Sequence, residues 1–154
     1  MGDDERLRSA TRPAVPSARA RAGERPHVLV VDDEDVFRTM VVALLRPHFE
    51  VSVAEHGGVA LRLLETERAS DIAAIISDVR MPWVNGIDLH RTLASRGHPL
   101  ARHFVWMSGG GLSEAHSRYV EASGLALLDK PFSAEDLRSA IARVGVPVRV
   151  CEVG

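Results

Sequence analysis

The stretch IAAIIS at residues 72–77 is an apolar run, and a carboxylate, Asp78, stands at its end. Four other short segments are also rich in apolar residues, namely HVLVV (27–31), FEVSVA (49–54), HFVWMS (103–108) and LALLD (125–129). Near-continuous apolar runs are typical of parallel strands that helices cover on both faces of a sheet. Only residues 49–54 alternate apolar and polar side chains, which indicates an edge strand.

Helical patterns separate these strands and follow the last one, at residues 35–46, 57–67, 86–95, 113–123 and 133–144. Pro47 ends the first pattern, and Ser113 and Ser133 are suitable N-caps for the last two. Five repeats of strand and helix predict an α/β fold with a five-stranded, parallel, doubly wound sheet, because the crossovers between parallel strands are right-handed.

Composition narrows the class of protein. The chain has 154 residues, of which 45% are hydrophobic and 26% charged, as in an ordinary globular domain. Its longest apolar run, MVVALL, has six residues, whereas a membrane span needs about 18 or more. With a single cysteine, Cys151, and no signal peptide, we expect a reducing, cytoplasmic setting without membrane association. The net charge of -2 and the 5% aromatic content argue against nucleic-acid binding.

Charge is unevenly distributed along the chain. Residues 1–26 hold six arginines, four acidic residues and three prolines but few large apolar residues. Such a segment cannot bury enough surface to offset the entropy of ordering, so we expect a flexible leader or linker. The domain is then expected at residues 27–146, with a short tail at 147–154.

Polar residues stand where the predicted strands end. Asp32 and Asp33 follow the first strand, Asp78 ends the third, Ser108 ends the fourth and Lys130 follows the fifth. The carboxyl ends of parallel strands meet at one edge of the sheet, where functional groups collect. The alternative is that these residues only begin turns or cap helices, as Asp and Ser often do.

Three neighbouring carboxylates predict a specific chemistry. Two of them about 5 Å apart repel by about 3 kcal/mol at an effective dielectric of about 20, so they must bind a proton or share a cation. Mg²⁺ suits oxygen ligands and phosphate. One carboxylate could then attack phosphorus while Lys130 and Ser108 donate hydrogen bonds to the phosphoryl oxygens.

The segments HVLVVDDEDVFR, IISDVRMPWVNGIDL, VWMSGG and LLDKPF, in this order and spacing, resemble the response-regulator receiver domain of two-component signalling. The resemblance covers about residues 27–144. It implies a flavodoxin-like strand order 2-1-3-4-5 and Mg²⁺ as the cofactor, for which Mn²⁺ can substitute. It also implies that the protein is a phosphoacceptor that assists its own phosphorylation and dephosphorylation rather than a turnover enzyme.

The resemblance also implies roles for the polar residues. Asp78 is the expected phosphoacceptor and, with Asp33, a direct ligand of Mg²⁺. Asp32 is expected to hold the ion through water, and the backbone carbonyl of Arg80 to complete the protein ligands. Ser108 is expected to engage the phosphoryl group and Lys130 to pair with Asp78 or with the phosphate. The bond between Lys130 and Pro131 is expected to be cis.

Supporting residues lie close to these positions. Pro82 restrains the loop after Asp78, and Gly86 permits a backbone turn before the next helix. Gly109 leaves the site open to a phosphodonor and to water. Met81 and Trp83 are interpreted as packing residues.

Two positions depart from the family pattern. Leu127 stands where the family usually has an aromatic residue that turns inward on activation, so an aromatic rotamer switch is absent there. Ser108 replaces the more frequent threonine. None of the seven histidines shows zinc-binding spacing, and His90, alone on its helix, is interpreted as a surface residue.

The function expected is therefore that of a signalling switch. A histidine kinase or histidine phosphotransfer protein would donate the phosphoryl group, and the 113–144 face would contact a downstream partner, with the chain acting alone or as part of a hybrid kinase. One alternative is a receiver that docks without being phosphorylated. Another is a phosphohydrolase whose nucleophile lies in Asp33-Glu34-Asp35, although Phe37 occupies the position where that class has a hydroxyl. Three acidic residues after the first strand disfavour a dinucleotide or flavin site.

Overall fold

The computed structural model describes residues 25–147, without the side chains of residues 67 and 68. The predicted leader up to residue 24 and the predicted tail from residue 148, which includes Cys151, lie outside the described residues. Within residues 25–147, every helix is too short or too polar to cross a membrane.

Ten elements alternate along the chain, as the sequence predicts. The strands are β1 (His27–Val31), β2 (Glu50–Ala54), β3 (Ile72–Asp78), β4 (Phe104–Ser108) and β5 (Leu127–Asp129), and the helices are α1 (Asp35–Leu45), α2 (Gly57–Leu64), α3 (Gly86–Ser95), α4 (Glu114–Ser123) and α5 (Ala134–Arg143). Short 3₁₀ turns at Glu67–Asp71 and Pro99–Ala101, which the patterns did not reveal, precede β3 and β4. The last strand is two residues shorter than predicted.

All strand pairs are parallel, and the sheet order is β2-β1-β3-β4-β5. This confirms the doubly wound α/β fold and the position of residues 49–54 at a sheet edge. The order reverses between β1 and β3, and such reversal points are where sheets of this type form their functional crevice.

Both faces of the sheet are buried, which explains why the strands read as continuous apolar runs. One face packs Leu29, Ile75 and Trp106 beneath α2, α3 and α4. The alternate residues of the same strands pack beneath α1 and α5 on the other face. The two helix layers hold the carboxyl ends of the strands in a fixed arrangement.

Serine caps begin the last two helices, as predicted. The Oγ of Ser113 accepts a hydrogen bond from the backbone N–H of His116. Ser133 and Asp136 form a reciprocal capping box at the start of α5. These caps satisfy backbone donors that the helix itself leaves unpaired.

The interpretation of His90 as a surface residue is wrong. Its side chain is buried, Nε2 donates to the carbonyl of Ala101 at 2.9 Å, and Nδ1 lies 2.8 Å from the hydroxyl of Tyr119. The ring also lies against Phe104 and Trp106. Burial lowers the pKa of His90. Both nitrogens have partners, so this residue belongs to the core between α3 and α4.

Gly86 is required by a close approach and not by an unusual backbone angle. Its φ is not positive, but a Cβ at this position would lie 2.1 Å from the backbone oxygen of Asp78. A side chain at Gly86 is therefore resisted, as expected, but because of this contact and not because of the backbone angle. The start of α3 thus lies directly against the end of β3.

Replacing Gly86 with alanine is expected to lower the free energy of unfolding by about 2–3 kcal/mol, because the methyl group must displace backbone that is fixed by the sheet. Gly109→Ala is the matched control, since a Cβ there meets only the Cδ of Lys130 at 4.0 Å. Urea denaturation of both variants measures the difference. Equal stability of the two variants would contradict the close approach.

Candidate functional site

Three carboxylates converge at the carboxyl edge of the sheet. Val31 of β1 pairs with Ser77 of β3, so the next residues, Asp32 just after β1 and Asp78 at the end of β3, lie side by side. One oxygen each from Asp32, Asp33 and Asp78 lie within 4.8 Å of one another. Asp32 is fully buried, Asp78 is partly buried and Asp33 is exposed. The structure thus brings together the three acidic residues that the sequence singled out.

Lys130 joins two of these carboxylates. Its Nζ donates to Asp32 Oδ2 and to Asp78 Oδ2, both at 2.9 Å. The lysine follows β5, and its backbone N–H donates to the carbonyl of Ser108 at 2.8 Å. The bond to Pro131 is cis, as predicted. Lys130 is the only lysine in the chain, since the other 18 basic residues are arginines.

Burial and pairing shift two pKa values in the cluster. Burial raises the pKa of Asp78, and the hydrogen bond and charge of Lys130 only partly offset this effect. Burial alone would lower the pKa of Lys130, but its hydrogen bonds to Asp78 and Asp32, together with their charges, raise it above 10.5. Lys130 therefore stays charged at neutral pH.

The cluster fits a hard divalent cation. Three ionised carboxylates carry -3 and Lys130 carries +1, so the four groups together carry -2. Oxygen donors around an excess of two negative charges are what Mg²⁺ binds in proteins, often together with phosphate oxygens. Asp33 is exposed and makes this side of the cluster accessible. These residues could hold the ion, and the contribution of the Arg80 carbonyl stays a prediction.

Ser108 completes the edge next to Lys130. Its side chain is buried, and its Oγ accepts a hydrogen bond from the N–H of Gly110 at 3.1 Å. A Cβ at Gly109 would meet only the Cδ of Lys130, at 4.0 Å, and the access role of Gly109 stays a prediction. The hydroxyl of Ser108 is thus held at the end of β4.

Sequence reasoning missed the side chains that support the cluster. The Nζ of Lys130 lies 3.9 Å from the ring centroid of Phe37, a cation–π contact, and Phe132 packs edge-on against the same ring. Arg38 donates to the backbone carbonyl of Asp32 at 2.8 Å. Both residues occupy the first turns of α1, and their proximity to Asp33 in the sequence was the signal available.

Arg80 acts through its side chain as well as its backbone. Its N–H donates to Asp78 Oδ1 at 3.2 Å, and its guanidinium donates to the carbonyls of Gly111 at 3.0 Å and Gly110 at 3.4 Å. The residue therefore links the loop after β3 to the glycine loop after β4. No local pattern in the sequence indicated this link.

Comparison with known families matches residues 28–142 to the response regulator receiver domain. The chain belongs to this family. It is similar to the two-component response regulator ORR11 of Oryza sativa subsp. indica, with 31% identity over 85% of this chain and 88% of that protein. It also resembles the two-component response regulator ORR5 of Oryza sativa subsp. japonica, with 32% identity over 83% and 97% of the chains. Receiver domains in general bind Mg²⁺.

Solved structures agree with this assignment. The chemotaxis protein CheY4 of Vibrio cholerae superimposes with a TM-score of 0.66 at 29% identity, covering 78% of this chain and 98% of that one. A receiver domain from Clostridium thermocellum also gives 0.66, at 27% identity, with 77% and 92% covered. The relatives imply two-component partners such as kinases for this receiver.

The loop after β3 places one side chain in unexpected surroundings. Met81 is buried, as predicted, but Trp83 is 82% exposed, so the interpretation of Trp83 as a packing residue is wrong. Pro82 is exposed between them. Leu127, at the start of β5, is 40% exposed.

The single lysine of this receiver permits a direct test of its pairing. In protein labelled with ¹³C-lysine, NMR is expected to show one side-chain resonance whose pKa lies above 10.5. Asp78→Asn should lower that pKa, because it removes the hydrogen bond that contributes most to raising it. Asp35→Asn, on an exposed carboxylate that pairs with Arg38, is the control and should leave it unchanged. An equal response to both changes would contradict the pairing.

Proposed function

We propose that this receiver accepts a phosphoryl group on Asp78 and acts as a phosphorylation-dependent signalling switch. The observation that carries the proposal is the position of the Asp78 carboxylate, which lies within 4.8 Å of Asp32 and Asp33 and is bonded to Lys130 at 2.9 Å. The donor is a histidine kinase or a histidine phosphotransfer protein, as the family resemblance implies. Small acyl phosphates serve in its place.

The reaction forms a bond between a carboxylate oxygen of Asp78 and phosphorus. The bond between phosphorus and the donor's imidazole nitrogen breaks, and that nitrogen keeps the electron pair. Asp33, Asp78, the Arg80 carbonyl and, through water, Asp32 would hold Mg²⁺. When bound, the ion neutralises charge on the phosphoryl oxygens.

The remaining polar groups of the site bind the transferred group. Lys130 Nζ and Ser108 Oγ donate hydrogen bonds to the phosphoryl oxygens as negative charge spreads over them. Open space around Gly109 admits the donor and, later, the water that hydrolyses the acyl phosphate. Pro82, Gly86 and Pro131 support the loops that carry these groups.

Phosphorylation shifts a balance between two conformations of the domain. The new phosphoryl oxygens draw Ser108 and Lys130 inward, and these residues end β4 and follow β5, next to the 113–144 face that contacts the downstream partner. A differential stabilisation of about 5.5 kcal/mol would move the population from 1:99 to 99:1. Because Leu127 is aliphatic, the change reaches this face without an aromatic rotamer switch.

The other expectations of the sequence belong to the same proposal. They are the leader at 1–26, the domain at 27–146, the tail at 147–154 and a cytoplasmic location. The phosphohydrolase alternative is disfavoured, because the carboxylate of Asp35 is 84% exposed and paired with Arg38, away from the acidic cluster. The remaining alternative is a receiver that docks without being phosphorylated, and experiment must distinguish it from the phosphorylated switch.

The test is incubation of the purified protein with acetyl phosphate and Mg²⁺, followed by mass spectrometry of the intact chain. We expect a mass gain of one phosphoryl group that survives acid better than base. We expect no mass gain when EDTA has removed the metal. No mass gain with Mg²⁺ present would favour the docking receiver. Repeated turnover of a phosphate monoester would favour the phosphohydrolase.

A further inference from the structure

Trp83 is the most exposed large apolar side chain in the part of the chain that the structure describes. It lies in the loop between Asp78 and α3, with 82% of its surface exposed, and its φ is +62°. Its ring meets only the edge of His56, at a centroid distance of 5.3 Å, among the ring contacts of the described residues. The indole is therefore exposed to solvent and not packed in the domain.

The loop that carries Trp83 is fixed at both ends. The N–H of Gly86 donates to the carbonyl of Val79 at 3.1 Å, and the N–H of Gly57 donates to the carbonyl of Val84 at 2.9 Å. The side chain of Val84 packs so closely on Gly57 that a Cβ there would lie 2.6 Å away. A tryptophan held on such a loop loses little backbone freedom when it binds a partner.

The backbone at Trp83 is unfavourable for the residue that occupies it. A positive φ is free for glycine and tolerated by asparagine, whereas a bulky aromatic residue is strained there. Trp83 gains little burial within the domain to offset this strain. A strained and exposed aromatic residue beside a reactive group indicates a binding role.

We propose that Trp83 is an anchor for the phosphodonor protein and inserts into an apolar recess beside the donor's phosphohistidine. The inference rests on the proposed function and adds the contact through which the donor recognises this receiver. Trp83 is five residues from Asp78. The hydrogen bond between Val79 and Gly86 closes the loop, so the backbone of Trp83 lies no more than about 14 Å from the site of Asp78. A donor footprint of about 800 Å² has a radius of about 16 Å, so a donor centred on Asp78 covers Trp83.

Tryptophan is suited to this task. It is among the residues that contribute most binding energy at protein interfaces, especially when a pocket on the partner encloses it. The surrounding loops carry charged and polar groups, and these groups stay hydrated when the donor is bound. A recess of matching shape would therefore distinguish a donor for this receiver from other histidine-bearing proteins.

The test compares two donors on three forms of the protein, namely wild type, Trp83→Gly and Trp83→Phe. One donor is acetyl phosphate, which needs no docking surface. The other is the phosphorylated histidine phosphotransfer protein that transfers fastest to the wild type among a purified panel. Trp83→Gly relieves the positive φ, so its melting temperature is expected to rise by a few degrees, which verifies folding.

For the protein donor, Trp83→Gly is expected to lower kcat/KM tenfold to a hundredfold, with Trp83→Phe close to the wild type. Phosphorylation by acetyl phosphate should stay within twofold for all three forms. Equal transfer from the protein donor to all forms would overturn the anchor, as would the absence of any panel donor while acetyl phosphate still works. Loss with both donors in Trp83→Gly would also overturn the anchor, because the effect would then lie in the phosphorylation chemistry and not in docking. Failure of both donors to phosphorylate the wild type would instead count against the proposed function.

Two other occupants of this surface are separable. If Trp83 joined two copies of the chain, sedimentation would show a concentration-dependent dimer that Trp83→Gly abolishes, and this result would overturn the proposal. If Trp83 bound the downstream partner, transfer would be unchanged in Trp83→Gly, which also overturns it. A blue shift of the Trp83 emission on adding the panel donor, absent in Trp83→Gly, would support the proposal.

Discussion

Asp78→Asn is expected to abolish the mass gain of one phosphoryl group that acetyl phosphate and Mg²⁺ produce on the wild type. The amide has the shape of the carboxylate but lacks its anionic oxygen, so it cannot attack phosphorus. The expected loss is complete within the detection limit of intact-protein mass spectrometry. Lys130 keeps its hydrogen bond to Asp32 in this variant, so the site retains a paired lysine.

The control for this variant is Glu55→Gln, which removes an exposed carboxylate just beyond β2, outside the acidic cluster. It should be phosphorylated like the wild type. Thermal unfolding should show that both variants are folded. A phosphoryl gain that persists in Asp78→Asn would place the acceptor on another carboxylate, and peptide mapping would then identify whether Asp33 carries it.

Lys130→Met is expected to have the largest effect on stability, with a loss of about 3 kcal/mol in the free energy of unfolding near pH 7.5. The side chains of Lys130 and Asp78 are each 13% exposed and that of Asp32 is fully buried. Removing the ammonium leaves two nearly buried carboxylates without their cation. The methionine also forfeits the contact between Nζ and the ring of Phe37.

The loss in Lys130→Met should depend on pH. The raised pKa of Lys130 means that its contribution to stability is fully present below about pH 10.4 and is lost only as the pH rises through the folded-state value. Burial already raises the pKa of Asp78, and removing Lys130 raises it further. Ionising Asp78 in the folded variant therefore costs stability as the pH rises above about 4.

Urea denaturation at about pH 5 and about pH 7.5 tests this dependence, and the stability difference from the wild type should be smaller at the lower pH. The matched control is Arg118→Met, which removes an exposed ion pair with Glu114 on α4. That change should alter stability by less than about 0.5 kcal/mol at either pH. A pH-independent loss in Lys130→Met would show that packing, and not charge, explains it.

Local pattern was sufficient for the elements of the fold. Apolar runs, breaks at proline and serine caps depend on residues within one or two turns, and the structure confirms the five strands and five helices that they predicted. Local pattern also explains the error at β5, which was predicted two residues too long. Leu125 and Ala126 are apolar but lie outside the ladder that pairs Leu127–Asp129 with β4. Apolar character alone does not determine where a strand begins to pair.

Convergence of the acidic residues could also be expected from the sequence. Asp32 follows β1 and Asp78 ends β3, two strands that are adjacent in the order implied by the resemblance, and parallel strands bring their carboxyl ends to one edge. Lys130 and Ser108 reach the same edge for the same reason. The convergence of these residues therefore follows from the parallel topology together with the strand order that the family resemblance implied.

Tertiary structure alone decided the environments of several side chains. His90 can be buried because Tyr119 and Ala101 form hydrogen bonds with its two ring nitrogens. Trp83 is exposed because hydrogen bonds to Val79 and from Gly57 fix its loop. Gly86 is needed because α3 begins against the backbone oxygen of Asp78.

Periodicity along the chain thus predicted a parallel sheet whose polar strand ends meet at one edge, and the resemblance to receiver domains implied the strand order. Which face of each loop turns to solvent, and which ring lies against the Lys130 ammonium, depends on packing between segments far apart in the chain. No rule of local spacing encodes those contacts.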